Sequence, residues 1–254
     1  MAEAAATTDH PPQSMETRQF VYLVLAAAFI TALLVANIVG SKFFHFGTIR
    51  IGSWDLHVEH SVGMFAFPVT FLLTDLLNEY YGKRGARRVT YLGLGMSLFA
   101  FTLIYLGTIA PPAPPGRTFI AEDSFDLVLG ASGRMIIASM VAYTIGQLTD
   151  IAAFGMMKRL TGGRMVWLRA TGSTVLSQFV DSLCIMTVLY FFQRLADGQQ
   201  PNIAFTLEAA LKGYLIKFVI AVLVTPLIYA GRALLQRRFG LVPLPPEGSD
   251  GFRP

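Results

Sequence analysis

The chain alternates between long apolar runs and short polar or basic connections. Apolar segments occur near residues 20–39, 62–81, 89–109, 132–157, 170–193 and 211–235. Each reaches or approaches the ~20 residues that an α-helix needs to cross a hydrocarbon core about 30 Å thick. The fourth segment is interrupted by polar residues, so its ends are the least defined. The pattern predicts an all-α integral membrane protein, a bundle of about six transmembrane helices.

Polar segments flank this apolar part. Residues 1–17 are polar and contain two prolines, which is typical of a disordered N-terminus. Residues 18–238 form the predicted transmembrane domain, and residues 239–254 a flexible tail. The first apolar run is longer than a signal-peptide core and no A-x-A cleavage pattern follows it. We therefore expect it to be retained as the first helix.

Composition supports lipid as the solvent of this chain. Hydrophobic residues make up 54% of the 254 residues and charged residues only 14%, whereas soluble domains carry roughly 25% charged residues. The net charge of +4 comes from short basic blocks between apolar runs, which is not the pattern of a nucleic-acid-binding surface. The single cysteine, Cys184, lies in an apolar run and excludes an internal disulfide.

The distribution of Lys and Arg predicts the orientation. Cytoplasmic connections of membrane proteins carry an excess of these residues. One side of the predicted bundle holds 13 of the 20: Arg18, Lys83, Arg84, Arg87, Arg88, Lys158, Arg159, Arg164, Arg169, Arg232, Arg237, Arg238 and Arg253. That side is predicted to be cytoplasmic, which places both termini in the cytoplasm.

The connections on the other side differ in kind. Residues 110–131 contain a Pro-rich turn and then a mixed polar and apolar stretch, which fits either a short interfacial helix or an ordinary loop. The first connection carries His45, Asp55, His57, Glu59 and His60. Their spacing matches no standard zinc signature, so we predict neither a metal site nor a cofactor.

The second helix carries polar residues at depth. Asp75, Asn78 and Glu79 stand at i, i+3 and i+4, so one helical face presents two carboxylates and an amide. Two carboxylates one turn apart repel each other and need a cation, a donor or a proton. Arg169 is the expected cation by depth. In the alternative interpretation, Glu79 pairs with Lys83 near the membrane surface.

The fifth helix carries a polar stripe. Thr174, Ser177, Gln178 and Asp181 follow one another at spacings of three and four residues. Polar stripes also join helices to one another, which would account for Thr174 and Ser177. An Asp near the middle of the span is costly and tends to mark a transport pathway.

The fourth and sixth helices add further ionisable and polar groups. Tyr143, Gln147 and Asp150 share one face of the fourth helix, which also carries Arg134 near its outer end. Lys217 lies in the sixth helix. Arg134 and Lys217 would either neutralise carboxylates or extend to the membrane surface. Together these groups predict a polar cavity for a small planar ligand, the alternative being a structural network of ion pairs.

At these residues the sequence resembles the queuosine precursor transporter family. The matching segments, in order, are FAFPVTFLLTDLLNEYYGKRGARR, GRMIIASMVAYTIGQLTDIAAF, RATGSTVLSQFVDSL and KGYLIKFVIAVLVTPLIY. The resemblance covers roughly residues 20–236. Members often carry an Arg-Asn pair at the start of the fifth helix. Here Ala170 follows Arg169, so only the arginine carries over.

The resemblance implies import of 7-deazaguanine precursors of queuosine, the cyano or the aminomethyl form, across the bacterial inner membrane by a multi-pass protein. Such a base offers N–H donors to a carboxylate, an oxygen acceptor to an amide or Lys, and a flat ring to Phe67, Tyr143 or Phe179. The core of the predicted site is Asp75, Asn78, Glu79, Gln178 and Asp181. Lining or neutralising roles are expected for Gln147, Asp150, Arg134, Arg169 and Lys217.

Two other functions fit the pattern. A substrate-capture subunit of an ATP-driven importer would also have about six helices and no nucleotide motif. An intramembrane enzyme would use paired carboxylates as acid and base. No common nucleotide-binding or hydrolase motif occurs, which favours a transporter over an enzyme. Gly93 and Gly95 would suit a homodimer contact.

Overall fold

The computed structural model describes residues 13–40, 42–51, 54–111, 114, 122–129, 133–162, 165–188, 194, 197–200 and 202–245. In chain order the elements are α1 (Gln13–Val39), β1 (Phe43–Ile51), β2 (Trp54–Ser61), a 3₁₀ helix (Val62–Ala66), α2 (Phe67–Thr108), α3 (Glu122–Leu129), α4 (Gly133–Leu160), α5 (Val166–Met186) and α6 (Ile203–Phe239).

Helices dominate the described chain, and their outer surfaces are apolar. Three stretches of helix are long and apolar enough to cross a membrane, at residues 17–39, 62–108 and 203–239. Large apolar side chains such as Leu92, Leu103 and Leu223 point outward on them, as lipid-facing residues do. The prediction of an α-helical membrane protein is thus supported. α4 and α5 coincide with the fourth and fifth predicted spans, but the count of about six spans stays a prediction.

The first helix begins earlier than the sequence predicted. α1 starts at Gln13, so residues 13–17 are helical and the prediction of disorder is wrong for them. Pro11 and Pro12 precede this start, and proline is tolerated at the beginning of a helix but not in its interior. Residues 1–12, the rest of the predicted disordered segment, lie outside the described residues.

α2 is one long helix with a break. At Gly82 the backbone has φ 69° and ψ 178°, a conformation that is essentially restricted to glycine. The break separates an arm at residues 67–81 from an arm at residues 83–108. These arms correspond to the second and third predicted helices. The basic residues 83–88, predicted as a connection, are instead helical.

A β-hairpin joins α1 to α2, where the sequence analysis predicted a loop in an all-α protein. β1 and β2 pair antiparallel from Phe43 opposite Ser61 to Ile51 opposite Trp54. Both strands are rich in aromatic and β-branched residues, and only Gly52 and Ser53 separate them. A two-residue connection containing Gly favours a tight hairpin turn. The side chains of Asp55, His57 and Glu59 lie outside the described ones.

The segment 110–131 contains a short helix, α3, at Glu122–Leu129. The helix alternative of the sequence analysis is therefore confirmed, although its position at the membrane surface stays a prediction. A Cβ atom on Gly107 of α2 would lie 3.5 Å from the ring of Phe125. α3 thus packs closely against the end of α2.

The main core lies between α1 and the first arm of α2. Phe29 of α1, Leu77 and Tyr80 of α2, and Ile151 of α4 are almost fully buried in it. Gly93, which was predicted to contact a second copy of the chain, is packed against other helices of the same chain. A Cβ atom there would be 2.9 Å from the Tyr143 hydroxyl. Its use in a homodimer is therefore contradicted, whereas Gly95 has open space around it.

The beginning of the C-terminal tail is fixed to the helices. Gly240 ends α6 in a left-handed conformation, and the Leu244 N–H then donates a hydrogen bond of 3.0 Å to the Glu79 carbonyl. Residues 240–245 are therefore held in place, contrary to the prediction of a flexible tail from 239. We call the end of the bundle at Glu79 and Leu244 the tail end, and the end beside β1 and β2 the hairpin end.

Candidate functional site

A cavity of about 520 Å³ lies at the hairpin end, bounded by α1, the hairpin, α2, α4, α5 and α6. Its volume falls in the range of small-molecule pockets, roughly 300–1,000 Å³. Of the residues predicted for the site, five line this cavity: Gln147, Asp150, Gln178, Asp181 and Lys217. Residues from three separate helices thus meet in one space, as the sequence analysis predicted for them.

α4 and α5 approach closely beside this cavity. A Cβ atom on Gly146 would lie 3.2 Å from the Asp181 Cβ, so glycine at this position lets the two helices come together. The spacing of three and four residues on α5 brings Ser177, Gln178, Asp181 and Ser182 to the lining. The polar stripe of the sequence is therefore a wall of the cavity, and Ser182 is a member that the sequence analysis missed.

Asp181 is paired with a cation. Lys217 Nζ donates to Asp181 Oδ2 over 2.5 Å, joining α5 to α6. The same ammonium lies 5.1 Å from the centre of the Phe67 ring, within the range of a cation–π contact. Lys217 is 5% exposed, so the alternative in which it extends to the membrane surface is wrong. Neutralisation of a carboxylate, the other alternative, is what the structure contains.

Asp150 has a different environment. It is 3% exposed, and the Ser177 hydroxyl donates to its Oδ1 over 3.2 Å. The same hydroxyl lies 3.1 Å from the Thr174 carbonyl, and Ser173, one turn earlier on α5, donates to the Ala170 carbonyl over 3.2 Å. A neutral hydroxyl is therefore the donor found among the described side chains for this cavity-lining carboxyl group.

Two polar atoms of the lining have no partner among the described residues. Gln178 Oε1 and Ser182 Oγ are buried and accept or donate no hydrogen bond. Gln178 is 5% exposed. A buried polar atom without a partner costs about 1–3 kcal/mol, so these two atoms are in position to bond a water or a ligand in the cavity.

Aromatic rings form the opposite part of the lining. Phe67 and Phe71 of α2 are stacked with their ring centres 5.9 Å apart. Tyr143 of α4 also lines the cavity and donates a hydrogen bond of 3.2 Å to the Thr90 carbonyl. Phe179, the third predicted aromatic contact, is half exposed and packs on Tyr214 instead. Its predicted role in stacking is wrong, because it occupies the other face of α5 from Gln178.

His60 is a further residue of the lining, which the sequence analysis considered only as a metal ligand. It is the next-to-last residue of β2 and accepts a hydrogen bond of 3.0 Å on Nδ1 from the Ser61 N–H. Burial and the nearby Lys217 ammonium lower the pKa of His60 to about 4, against a partial opposing effect of Asp181. His60 is therefore neutral near pH 7. Among the described residues no group suited to a metal ion occurs.

The other predicted residues of α2 lie outside the cavity lining, with Glu79 at the tail end. Glu79 forms ion pairs with Lys158 over 3.1 Å and with Arg232 over 3.6 Å. Lys158 also donates to the Glu79 carbonyl over 3.3 Å. The alternative prediction, in which Glu79 pairs with Lys83, is therefore wrong. These contacts tie α2, α4 and α6 together below the cavity.

Asn78 and Asp75 lie between this cluster and the cavity. Asn78 donates to the Ile151 carbonyl over 3.3 Å, whereas Thr74, one turn earlier, donates to Gln147 over 3.3 Å at the cavity. One turn of helix corresponds to about 5.4 Å along its axis. Asp75 is 2% exposed and directly follows Thr74, close to the cavity but outside its lining. Asp75, Asn78 and Glu79 therefore do not line the pocket of Asp181, and their part in a binding site stays a prediction.

Two predicted cations cannot be placed. Arg134 lies in α4 and Arg169 in α5, but their side chains lie outside the described ones.

Asn37, from the end of α1, lines the cavity and donates to the Leu33 carbonyl over 3.0 Å. The cavity wall is therefore built from residues of α1, β2, α2, α4, α5 and α6.

The helices and their polar cavity can be compared with known proteins. A family model described as "Putative vitamin uptake transporter" matches residues 61–231, from the end of the hairpin to the last turns of α6. The chain belongs to this family. It follows that the protein is a transporter and not an enzyme, and that it is a multi-pass protein of a bacterial membrane.

Three named relatives are similar to this chain in sequence. A "Probable queuosine precursor transporter" of Bacillus subtilis is 27% identical over 69% of this chain and 72% of its own length. A "Queuosine precursor transporter" of Escherichia coli is 30% identical over 63% and 66%. A "Probable queuosine precursor transporter" of Haemophilus influenzae is 25% identical over 54% of each chain. No solved structure matches the chain significantly.

Proposed function

We propose that this protein imports 7-deazaguanine precursors of queuosine, as the cyano base, the aminomethyl base or both, across the bacterial inner membrane. The relatives that the chain resembles carry the name of this activity. The observation that carries the proposal for this chain is the pair of unpartnered polar atoms, Gln178 Oε1 and Ser182 Oγ, in a buried cavity.

The chemistry of the wall matches the chemistry of such a base. Its ring N–H and amino groups are donors that Gln178 Oε1 and the Asp150 carboxyl can accept. Its carbonyl oxygen is an acceptor for the Gln147 amide. Its flat ring can stack on an aromatic ring of the lining such as Phe71 or Tyr143. The Asp181 and Lys217 charges cancel each other in the wall, which suits the cyano base, a ligand without charge.

The membrane arrangement follows from the positions of basic residues. The crossings are α1, the two arms of α2, α4, α5 and α6, about six in all. Basic side chains collect at the tail end of these helices, including Arg18, Lys83, Lys158 and Arg237. With the tail end in the cytoplasm, both termini are cytoplasmic and the cavity faces outward. The Glu79 cluster then closes the cytoplasmic side, as expected of an importer that awaits its substrate.

Uptake of radiolabelled 7-cyano-7-deazaguanine tests the function. The recipient cells are unable to make or import the base, and they are compared with and without this chain. We expect label to accumulate and queuosine to be formed in tRNA only when the chain is present. A chain that is inserted in the membrane but gives no uptake overturns the proposal. Uptake by the purified chain in liposomes, without any ATPase, excludes the substrate-capture alternative.

A further inference from the structure

Three carboxylates of the described helices form ion pairs with basic side chains. Asp181 is bonded to Lys217, Glu79 to Lys158 and Arg232, and Glu208 to Lys212. The four cations in these pairs are thereby engaged. Asp150 has the Ser177 hydroxyl as its donor among the described side chains. It is the cavity-lining carboxyl group for which no cation is found among the described side chains.

The described side chains that face Asp150 from neighbouring elements do not supply it with a cation. α5 presents Ser173 and Ser177, and α2 presents Thr74, which is bonded to Gln147. The titratable and charged groups elsewhere in the cavity lining are His60, Tyr143, Asp181, Glu208, Lys212 and Lys217. On the tail side α2 carries Asp75 and Glu79, and α5 carries Arg169, whose side chain is not described. Lys217 and Lys212 are held by other carboxylates.

A buried carboxylate without a counter-ion is costly, and the common remedy is to take up a proton. In transporters, ionisable residues within the membrane therefore often serve as proton carriers. Asp150 satisfies the geometric requirements for this role. It lines the cavity, so protons from that side reach it, and it lies on α4, which continues to Lys158 at the closed tail end.

We infer that Asp150 carries a proton together with the substrate, so that the protein is a proton-coupled importer. The inference rests on the proposed function. In the outward-facing state the Asp150 carboxylate takes up one proton from the cavity, and the base binds beside it. After the change of access both leave to the cytoplasm, and the empty carrier returns with Asp150 ionised. One proton enters with each uncharged base, and no covalent bond changes.

Purified protein in liposomes tests this step with labelled 7-cyano-7-deazaguanine, which carries no cation of its own. The membrane potential is clamped at zero with potassium and valinomycin. With the outside one pH unit more acidic than the inside, we expect wild-type protein to concentrate the base up to about tenfold, the limit for one proton per base. Without the gradient we expect equilibration only.

The variant Asp150→Asn separates coupling from binding. We expect it to lose the accumulation driven by the pH gradient; because Asp150 also lines the binding cavity, exchange of labelled for unlabelled base should persist but with a raised KM. The matched control Asp197→Asn, in an exposed turn outside the cavity lining, should accumulate the base as wild type does. If Asp150→Asn does not insert, wild-type liposomes in a weakly buffered medium still test proton coupling. Addition of 7-cyano-7-deazaguanine to them should raise the pH of the external medium.

The results that overturn the inference differ from those that overturn the proposed function. Wild-type uptake that ignores the pH gradient, accumulation driven by a sodium gradient instead, or an Asp150→Asn variant that still responds to the pH gradient each contradicts the role of Asp150. Wild-type protein that shows neither uptake nor exchange of the base under any gradient contradicts the transport of this substrate.

Discussion

The Lys217 ammonium and the Asp181 carboxylate form an ion pair of 2.5 Å that joins α6 to α5 in the wall of the cavity. The side chains are 6% and 15% exposed, so water compensates poorly for the loss of either. Removing one partner of a buried pair is much more harmful than removing both, because the remaining charge is left alone. The pair therefore sets the charge balance of the site as well as the contact between two helices.

Single and double variants test this balance. We expect Asp181→Asn and Lys217→Met each to reduce uptake at least tenfold while the protein still inserts. The double variant should regain part of the activity, because no isolated charge remains. Initial rates of base uptake, normalised to the amount of protein in the membrane, measure the effect. Normal uptake by Asp181→Asn would remove Asp181 from the mechanism, and a double variant worse than both singles would refute the balance.

Gln178 and Phe179 are neighbours on α5 but face different environments. Gln178→Leu removes a buried oxygen that has no partner among the described residues, so we expect uptake with KM raised about tenfold and little change in thermal stability. Phe179→Leu changes a half-exposed ring outside the cavity lining and should leave KM within twofold. Concentration dependence of uptake gives both values. Equal KM for the two variants would mean that Gln178 does not contact the base.

Lys158 and Lys83 distinguish the observed partner of Glu79 from the predicted one. Lys158 is 7% exposed, and its ammonium contacts two oxygens of Glu79, one in the carboxylate and one in the backbone carbonyl. Lys158→Met should destabilise the protein by about 3–5 kcal/mol, seen as a lower midpoint of thermal unfolding in detergent. Lys83→Met should shift the midpoint by no more than a surface substitution does, within about 0.5 kcal/mol. A larger effect of Lys83→Met would restore the pairing with Lys83.

The lowered pKa of His60 leads us to expect that the protein loses stability in acid. This pKa is about 4 in the folded protein, below the ordinary value of 6.5. Between these values the unfolded chain binds a proton that the folded protein does not, so stability decreases as the pH falls from about 6.5 to 4. In His60→Asn this contribution disappears. Unfolding midpoints at pH 7.5, 5.5 and 4.5 check this.

The control for His60 is His45→Asn, since His45 lies on the paired strand and is exposed. We expect this variant to keep the acid sensitivity of wild type. If His60→Asn and wild-type protein lose stability in parallel over this pH range, burial of His60 is not the cause.

Periodicity along the sequence identified several residues that line the cavity. The spacing of Ser177, Gln178 and Asp181 on α5 depends only on the geometry of a helix, and all three line the cavity. Gln147 and Asp150 on α4 were found in the same way. The apolar segments also located the helices, because lipid requires a continuous apolar surface.

Neighbours across helices could not be predicted in this way. Asp75 and Glu79 share a face of α2, but the sequence does not show whether that face meets α4 at the cavity or one turn below it. Lys158 was counted as an orientation charge, and its pairing with Glu79 depends on how α2 and α4 are aligned. His60 reaches the cavity only because β1 and β2 form a hairpin that returns the chain to α6.

The central claim is that the cavity at the hairpin end binds a deazapurine base, and a structure of the protein with 7-cyano-7-deazaguanine bound tests it most directly. We predict density for the planar base in the cavity beside Asp150, with Gln178 Oε1 within hydrogen-bond distance of one of its N–H groups. Density for the base at the Glu79 cluster, with the cavity free of it, would contradict the account.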